Sequence, residues 1–82
     1  MQTIMLDCSQ YATPRDLHRA LSRLLRLPSY YGMNADALSD CLSERTSPVN
    51  LWIASRGTGE TAEELALARA AIEDHGGNVK EL

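Results

Sequence analysis

The chain has 82 residues, 44% of them hydrophobic, and a formal net charge of −3. That length predicts a single domain over residues 1–82 with one small core, and the acidic balance argues against direct nucleic-acid binding, because phosphate contacts need a basic patch. No apolar run approaches the length of a membrane span, and the N-terminus lacks a signal-peptide layout, so a cytoplasmic protein with no membrane partner, monomeric when free, is expected.

Thr3-Ile4-Met5-Leu6 is a short apolar run bounded by Asp7 and by polar residues from Ser9, and it reads as a buried first strand. Thr13-Pro14-Arg15-Asp16 then announces a helix, with Thr13 as N-cap, Pro14 at the first helical position and Asp16 closing a variant of the capping box. Leu17, Ala20, Leu21, Leu24 and Leu25 follow helical spacing and leave Arg15, Arg19, Arg23 and Arg26 outside. His18 sits beside this stripe, where a structural or solvated role is the default. Pro28 ends the segment, since its ring disfavours helical geometry at Leu27.

Leu27 to Leu42 reads Leu-Pro-Ser-Tyr-Tyr-Gly-Met-Asn-Ala-Asp-Ala-Leu-Ser-Asp-Cys-Leu, a loop delivering the chain into a second helix. Gly32 is expected to take backbone angles that the tyrosines beside it would resist. Asn34 is a good N-cap for a helix running to about Glu44. At 100° per residue Leu38, Cys41 and Leu42 share one stripe, while Asp36 and Asp40 lie opposite it. Packing that stripe on a core aims both carboxylates at solvent, and Glu44 extends them into an acidic ladder at i, i+4 and i+8. Like charges at this spacing cost roughly 0.2–0.5 kcal/mol per pair. The helix dipole favours Asp36, but Asp40 and Glu44 stand too far down the helix to benefit. A plain solvated face is one explanation of the ladder; a partner that requires negative charge is the other.

After the break at Thr46-Ser47-Pro48, Val49-Asn50-Leu51-Trp52-Ile53-Ala54 reads as a second buried strand. Ser55 to Glu60 reads as a flexible connection; its Gly-x-Gly lacks the remaining residues of a phosphate loop. Thr61-x-x-Glu64 has the form of another capping box, opening a helix over Ala62 to Asp74 whose apolar face runs through Leu65, Ala68 and Ile72. Gly76-Gly77 closes it through a left-handed cap, and Asn78 to Leu82 forms a short last strand. Strands alternating with helical crossovers imply an α/β fold with a three-stranded parallel sheet packed by three main helices.

Leu-Pro-x-Tyr-Tyr-Gly-x-Asn-x-Asp-Ala-Leu-x-Asp-Cys-Leu, with Asp16-Leu17-His18 upstream, resembles the signature of the barstar family, bacterial intracellular inhibitors of secreted ribonucleases. The likeness is dense from Leu27 to Leu42 and rests beyond Ser43 on the order of elements. It implies a barstar-like fold, no enzymatic activity and no cofactor. It also implies a one-to-one complex with a basic ribonuclease or nuclease toxin domain, whose phosphate site an acidic helix would plug. By position it assigns Tyr30, Gly32, Asn34, Asp36 and Asp40 to the partner-binding surface, with Asp40 entering the phosphate site; Ser43 and Glu44 extend that face. Departures are visible too. A family tryptophan is Ser39 here, Met33 and Ala35 replace larger or charged residues, and the family's interfacial glutamate on the last helix aligns with Ala71 or Ile72, with Glu73 and Asp74 nearby and Glu44 a further substitute. Tyr31, adjacent to Tyr30, is expected to pack inward. The link from second strand to last helix is shorter than in the family.

Other chemistry is poorly supported. Cys8, His18, Cys41 and His75 show no zinc-type spacing, and a cysteine on an apolar stripe is usually an inert small hydrophobe. A Cys8–Cys41 disulfide does not suit a cytoplasmic chain. Asp36 and Asp40 could serve as acid and base or hold Mg²⁺, but a convex helix face has no cleft. The alternative to a nuclease inhibitor is an interaction or regulatory domain with this fold whose partner is a different protein.

Overall fold

The computed structural model describes residues 2–82. Strand β1 (Gln2–Asp7) is followed by a 3₁₀ turn over Cys8–Gln10, helix α1 (Pro14–Leu25), helix α2 (Ala35–Ser43), strand β2 (Val49–Ser55), helix α3 (Gly59–Asp74) and strand β3 (Asn78–Glu81). The strands form a parallel sheet in the order β1-β2-β3. This is the α/β arrangement expected, with all the predicted strands and helices in place.

The crossovers determine which face is covered. Both connections, β1 to β2 and β2 to β3, move the chain one strand in the same direction, and right-handed crossovers then place their helices on one side of the sheet. Ile4 and Leu6 of β1 and Val49, Leu51 and Ile53 of β2 accordingly point into the core with Leu17, Leu21 and Leu25 of α1, Leu38 and Leu42 of α2, and Leu65, Ala68 and Ile72 of α3. In register, Ile4 opposes Leu51, Leu6 opposes Ile53, and Leu51 opposes Val79. The expectation that whole strand segments are buried is therefore corrected: alternate residues face outward, leaving Met5 51% and Trp52 36% exposed on the uncovered face, where the Lys80 ammonium lies 5.9 Å from the indole. An apolar run cannot distinguish a strand covered twice from one covered once.

Helix ends follow the cap residues. Thr13 Oγ1 accepts the Asp16 N–H at 3.2 Å, and Asn34 Oδ1 accepts that of Ala37 at 2.8 Å. Beyond α3, Gly76 takes φ +80° and donates to the Glu73 carbonyl, while the Gly77 N–H reaches that of Ile72 at 2.9 Å, which is the double bond of a Schellman motif. Gly77 is needed for a different reason, close approach: a Cβ there would lie 2.5 Å from the Ile72 Cγ2 and against the Val49 carbonyl.

The last predicted box does not form. Thr61 and Glu64 lie inside α3, which starts at Gly59 and has Thr58 as an N-cap without a side-chain bond. Thr61 instead donates to the Tyr11 carbonyl, and Glu64 bonds His18. Tertiary partners on neighbouring elements captured both side chains, which shortens the supposed flexible connection to Arg56–Thr58. Between α2 and β2, Arg45 bonds the Leu25 carbonyl and Gln2 Oε1, and Gln2 in turn bonds the Leu24 carbonyl. One side chain thus ties that turn to the C-terminus of α1 and the start of the sheet.

Both cysteines are free thiols. Burial, reinforced by Asp7, pushes the Cys8 thiol up to about 11. Cys41, Tyr11 and Tyr31 are raised as well, burial being the leading cause in each. A group that holds its proton more tightly when folded lends stability that is complete below its unfolded value and lost as pH rises through its folded value. Stability should therefore decline between about pH 9 and pH 11, Cys8 contributing across that window. Denaturant midpoints at pH 8 and pH 10.5 check this; equal midpoints would contradict it.

Candidate functional site

The acidic helix is built as its spacing predicts. Leu38 and Leu42 are buried against α3 and the rest of the core, and Asp36, Asp40 and Glu44 are exposed on the opposite side. Cys41 departs from expectation in degree: it lies at the edge of the core, half-buried, next to Glu44 and Asp40, whose charges help to raise its thiol. Among the described residues, the ion pairs within 4 Å are His18–Glu64, Arg19–Asp16, Arg56–Glu81, Arg69–Glu73 and Arg69–Glu81. None involves Asp36, Asp40 or the capping Glu44, so the ladder meets solvent without an ion-pair partner of its own.

The preceding loop folds back onto this helix. The Tyr31 N–H bonds the Pro28 carbonyl at 3.0 Å, and Asn34 Nδ2 bonds that of Gly32 at 3.2 Å. The left-handed residue is Met33, at φ 57°, and not Gly32. What Gly32 supplies is room, because a Cβ there would stand 3.1 Å from the Cβ of Ala37 on α2. Tyr30 is 78% exposed and Tyr31 only 6%, the division of labour expected of adjacent loop residues. Tyr30, Gly32, Asp40, Cys41 and Glu44 share a shallow groove of about 240 Å³ between loop and helix. Loop and ladder thus form one surface.

Several predicted site residues are also engaged locally. Both ends of the Asn34 side chain serve the cap and the loop. Ser43 donates to the Asp40 carbonyl at 2.6 Å, turning its hydroxyl back along the helix. Ser39, where the family pattern has tryptophan, lies 2.9 Å from His75 Nε2. Ala71 and Ile72 are buried, so neither extends a side chain toward this surface; His75, at the end of α3, does approach α2. A larger apolar groove of about 400 Å³ between α3 and the ends of β2 and β3 carries Arg56, Arg69 and Glu81. Glu81 pairs with both arginines, at 2.6 and 3.1 Å.

Sequence reasoning underrated His18. It is 1% exposed, with Nδ1 2.6 Å from the Tyr31 hydroxyl and Nε2 2.7 Å from Glu64 Oε2. A signal was present, since Leu21 and Leu25 stand three and seven residues beyond it on the same stripe.

A one-sided parallel sheet with an exposed acidic helix and a tyrosine loop at its flank defines a small α/β protein of three strands and three main helices. Residues 1–77 match the model of the family described as Barstar (barnase inhibitor), and the chain belongs to the barstar family. Proteins of this family are inhibitors rather than enzymes, and their partners are barnase-like ribonucleases.

Proposed function

We propose that this chain is an immunity-type inhibitor that plugs the phosphate-binding active site of a basic ribonuclease or nuclease toxin domain in a one-to-one complex. The observation that carries the reading is the ladder of Asp36, Asp40 and Glu44, exposed and unpaired on a helix anchored by Leu38 and Leu42. Carboxylates on a rigid support can replace phosphate oxygens, accepting charge-assisted and sometimes bidentate bonds from arginine. Tyr30 adds rigid aromatic area beside them, the residue type enriched at interface hot spots. Gly32, Asn34 and Ser43 shape the approach of the loop and the end of the helix. A cytoplasmic location suits such a role, as protection is needed where the cell's own RNA is.

Long-range attraction is part of the reading. An acidic face meeting a basic cleft speeds encounter, and salt screens the attraction over roughly 8 Å at physiological ionic strength. Stopped-flow association with candidate basic ribonucleases should slow as sodium chloride rises, with competitive inhibition saturating at one inhibitor per enzyme. Association rates that stay flat from low to high salt would refute an electrostatic plug. The reading of this domain as a regulator of a non-nuclease protein gains no specific support from the surface described.

A further inference from the structure

The buried group that the binding face leaves unused is His18, and it joins three elements. Its Nε2 meets Glu64 of α3 at 2.7 Å, and its Nδ1 meets Tyr31 of the loop at 2.6 Å, with the ring itself on α1. The Tyr31 and His18 rings are tilted at 54° with centroids 5.8 Å apart. The Tyr31 hydroxyl also lies 3.4 Å from the Asn34 carbonyl, which accepts the Leu38 N–H at 3.0 Å in the first turn of α2. The contacts therefore run without a break from α3 through α1 and the loop to the N-terminus of the acidic helix.

Donor and acceptor arithmetic gives this chain a direction. A carboxylate can only accept, so Glu64 requires a proton on Nε2. In the neutral ring that leaves Nδ1 as an acceptor, able to take the single phenolic proton of Tyr31. We propose that Glu64 and His18 are positioning residues for the partner-binding loop: Glu64 selects the Nε2–H tautomer, and that tautomer holds Tyr31, and with it residues 30–34, in the conformation that presents Tyr30 beside Asp40. With a proton on Nδ1 instead, the Tyr31 oxygen must accept from the ring and its own proton can go only to the Asn34 carbonyl. The ring–hydroxyl bond then runs the other way, and Nε2 turns a lone pair toward the Glu64 carboxylate, so the tie from the loop through the ring to α3 is lost. The titratable groups facing this pair from the packed elements are Glu64 of α3, Tyr31 of the loop and Cys41 of α2, the last two close enough for Cys41 to help raise the Tyr31 hydroxyl.

The role assigned to the loop rests on the proposed function, but the arrangement can be tested without any nuclease, so the two can fail separately. Long-range proton–nitrogen NMR of the intact protein should show His18 protonated at Nε2 and not at Nδ1. Glu64→Leu should produce a mixture of tautomers and accelerate amide exchange at residues 30–34 by about tenfold or more, leaving exchange in β2 unchanged. Glu64→Gln, whose amide oxygen still accepts from Nε2, should restore both readouts, which a general loss of packing would not predict. An Nδ1–H ring in the wild type would overturn the proposal. So would a Glu64→Leu protein with the wild-type tautomer and wild-type loop exchange. Should Glu64→Leu fail to fold, the wild-type tautomer and the exchange of Glu64→Gln still decide, since a Gln variant with a mobile loop and an unchanged tautomer contradicts the mechanism.

Discussion

Asp40→Ala is expected to leave the melting temperature unchanged or slightly raised while weakening inhibition about 30- to several-thousand-fold. The two effects separate because Asp40 lies on the solvent side of α2, away from Leu38 and Leu42. Its neighbours one turn away are Asp36 and Glu44, so truncation relieves two repulsions of about 0.2–0.5 kcal/mol each. In a complex the same truncation would leave partner arginines or lysines buried without their counter-charge, a loss of about 2–5 kcal/mol. That magnitude is borrowed from measured interfacial charge pairs, the barnase–barstar complex among them. Melting temperature and inhibition constant, measured on one preparation, check the prediction. A variant that folds and inhibits like the wild type would remove this face from the interface; one that unfolds would make Asp40 structural.

The second large effect belongs two residues earlier and to the opposite face. Leu38 is fully buried under α2, and Leu→Ala at such a site costs about 2–5 kcal/mol through lost transfer energy and the cavity left behind. For a domain of this size each kcal/mol moves the midpoint by roughly 4–8 °C. Leu38→Ala should therefore lower the melting temperature by roughly 10 °C or more, with much of the 5–15 kcal/mol typical of a small domain gone. Thermal melts followed by circular dichroism test this. A shift of only a degree or two would mean that α2 does not depend on its apolar stripe for its seat.

Local chemistry made much of this legible in the sequence. Thr13 and Asn34 announced their helices because a cap is an interaction across three residues, readable without knowing the fold. Asp36, Asp40 and Glu44 could be placed on the outer face because one helical period and one apolar stripe settle where the rest must point. What failed depended on distant partners. Thr61 and Glu64 have the spacing of a box, yet Tyr11 and His18, far away in sequence, bind their side chains. Gly32, expected to take angles its tyrosine neighbours would resist, is instead needed for its small size against Ala37, and the positive φ falls on Met33. The exposure of Met5 and Trp52 follows from the shared hand of two crossovers, which no single strand records.

That uncovered sheet face has a spectroscopic consequence. Trp52 is the chain's sole tryptophan, and it projects on the side of the sheet away from the helical layer that carries α2. Already 36% exposed and set under the Lys80 ammonium, the indole is an emitter on the far side of the sheet from the acidic helix. Docking at the acidic helix should be almost invisible in its emission, so a change on mixing with a nuclease would originate in the nuclease's own tryptophans.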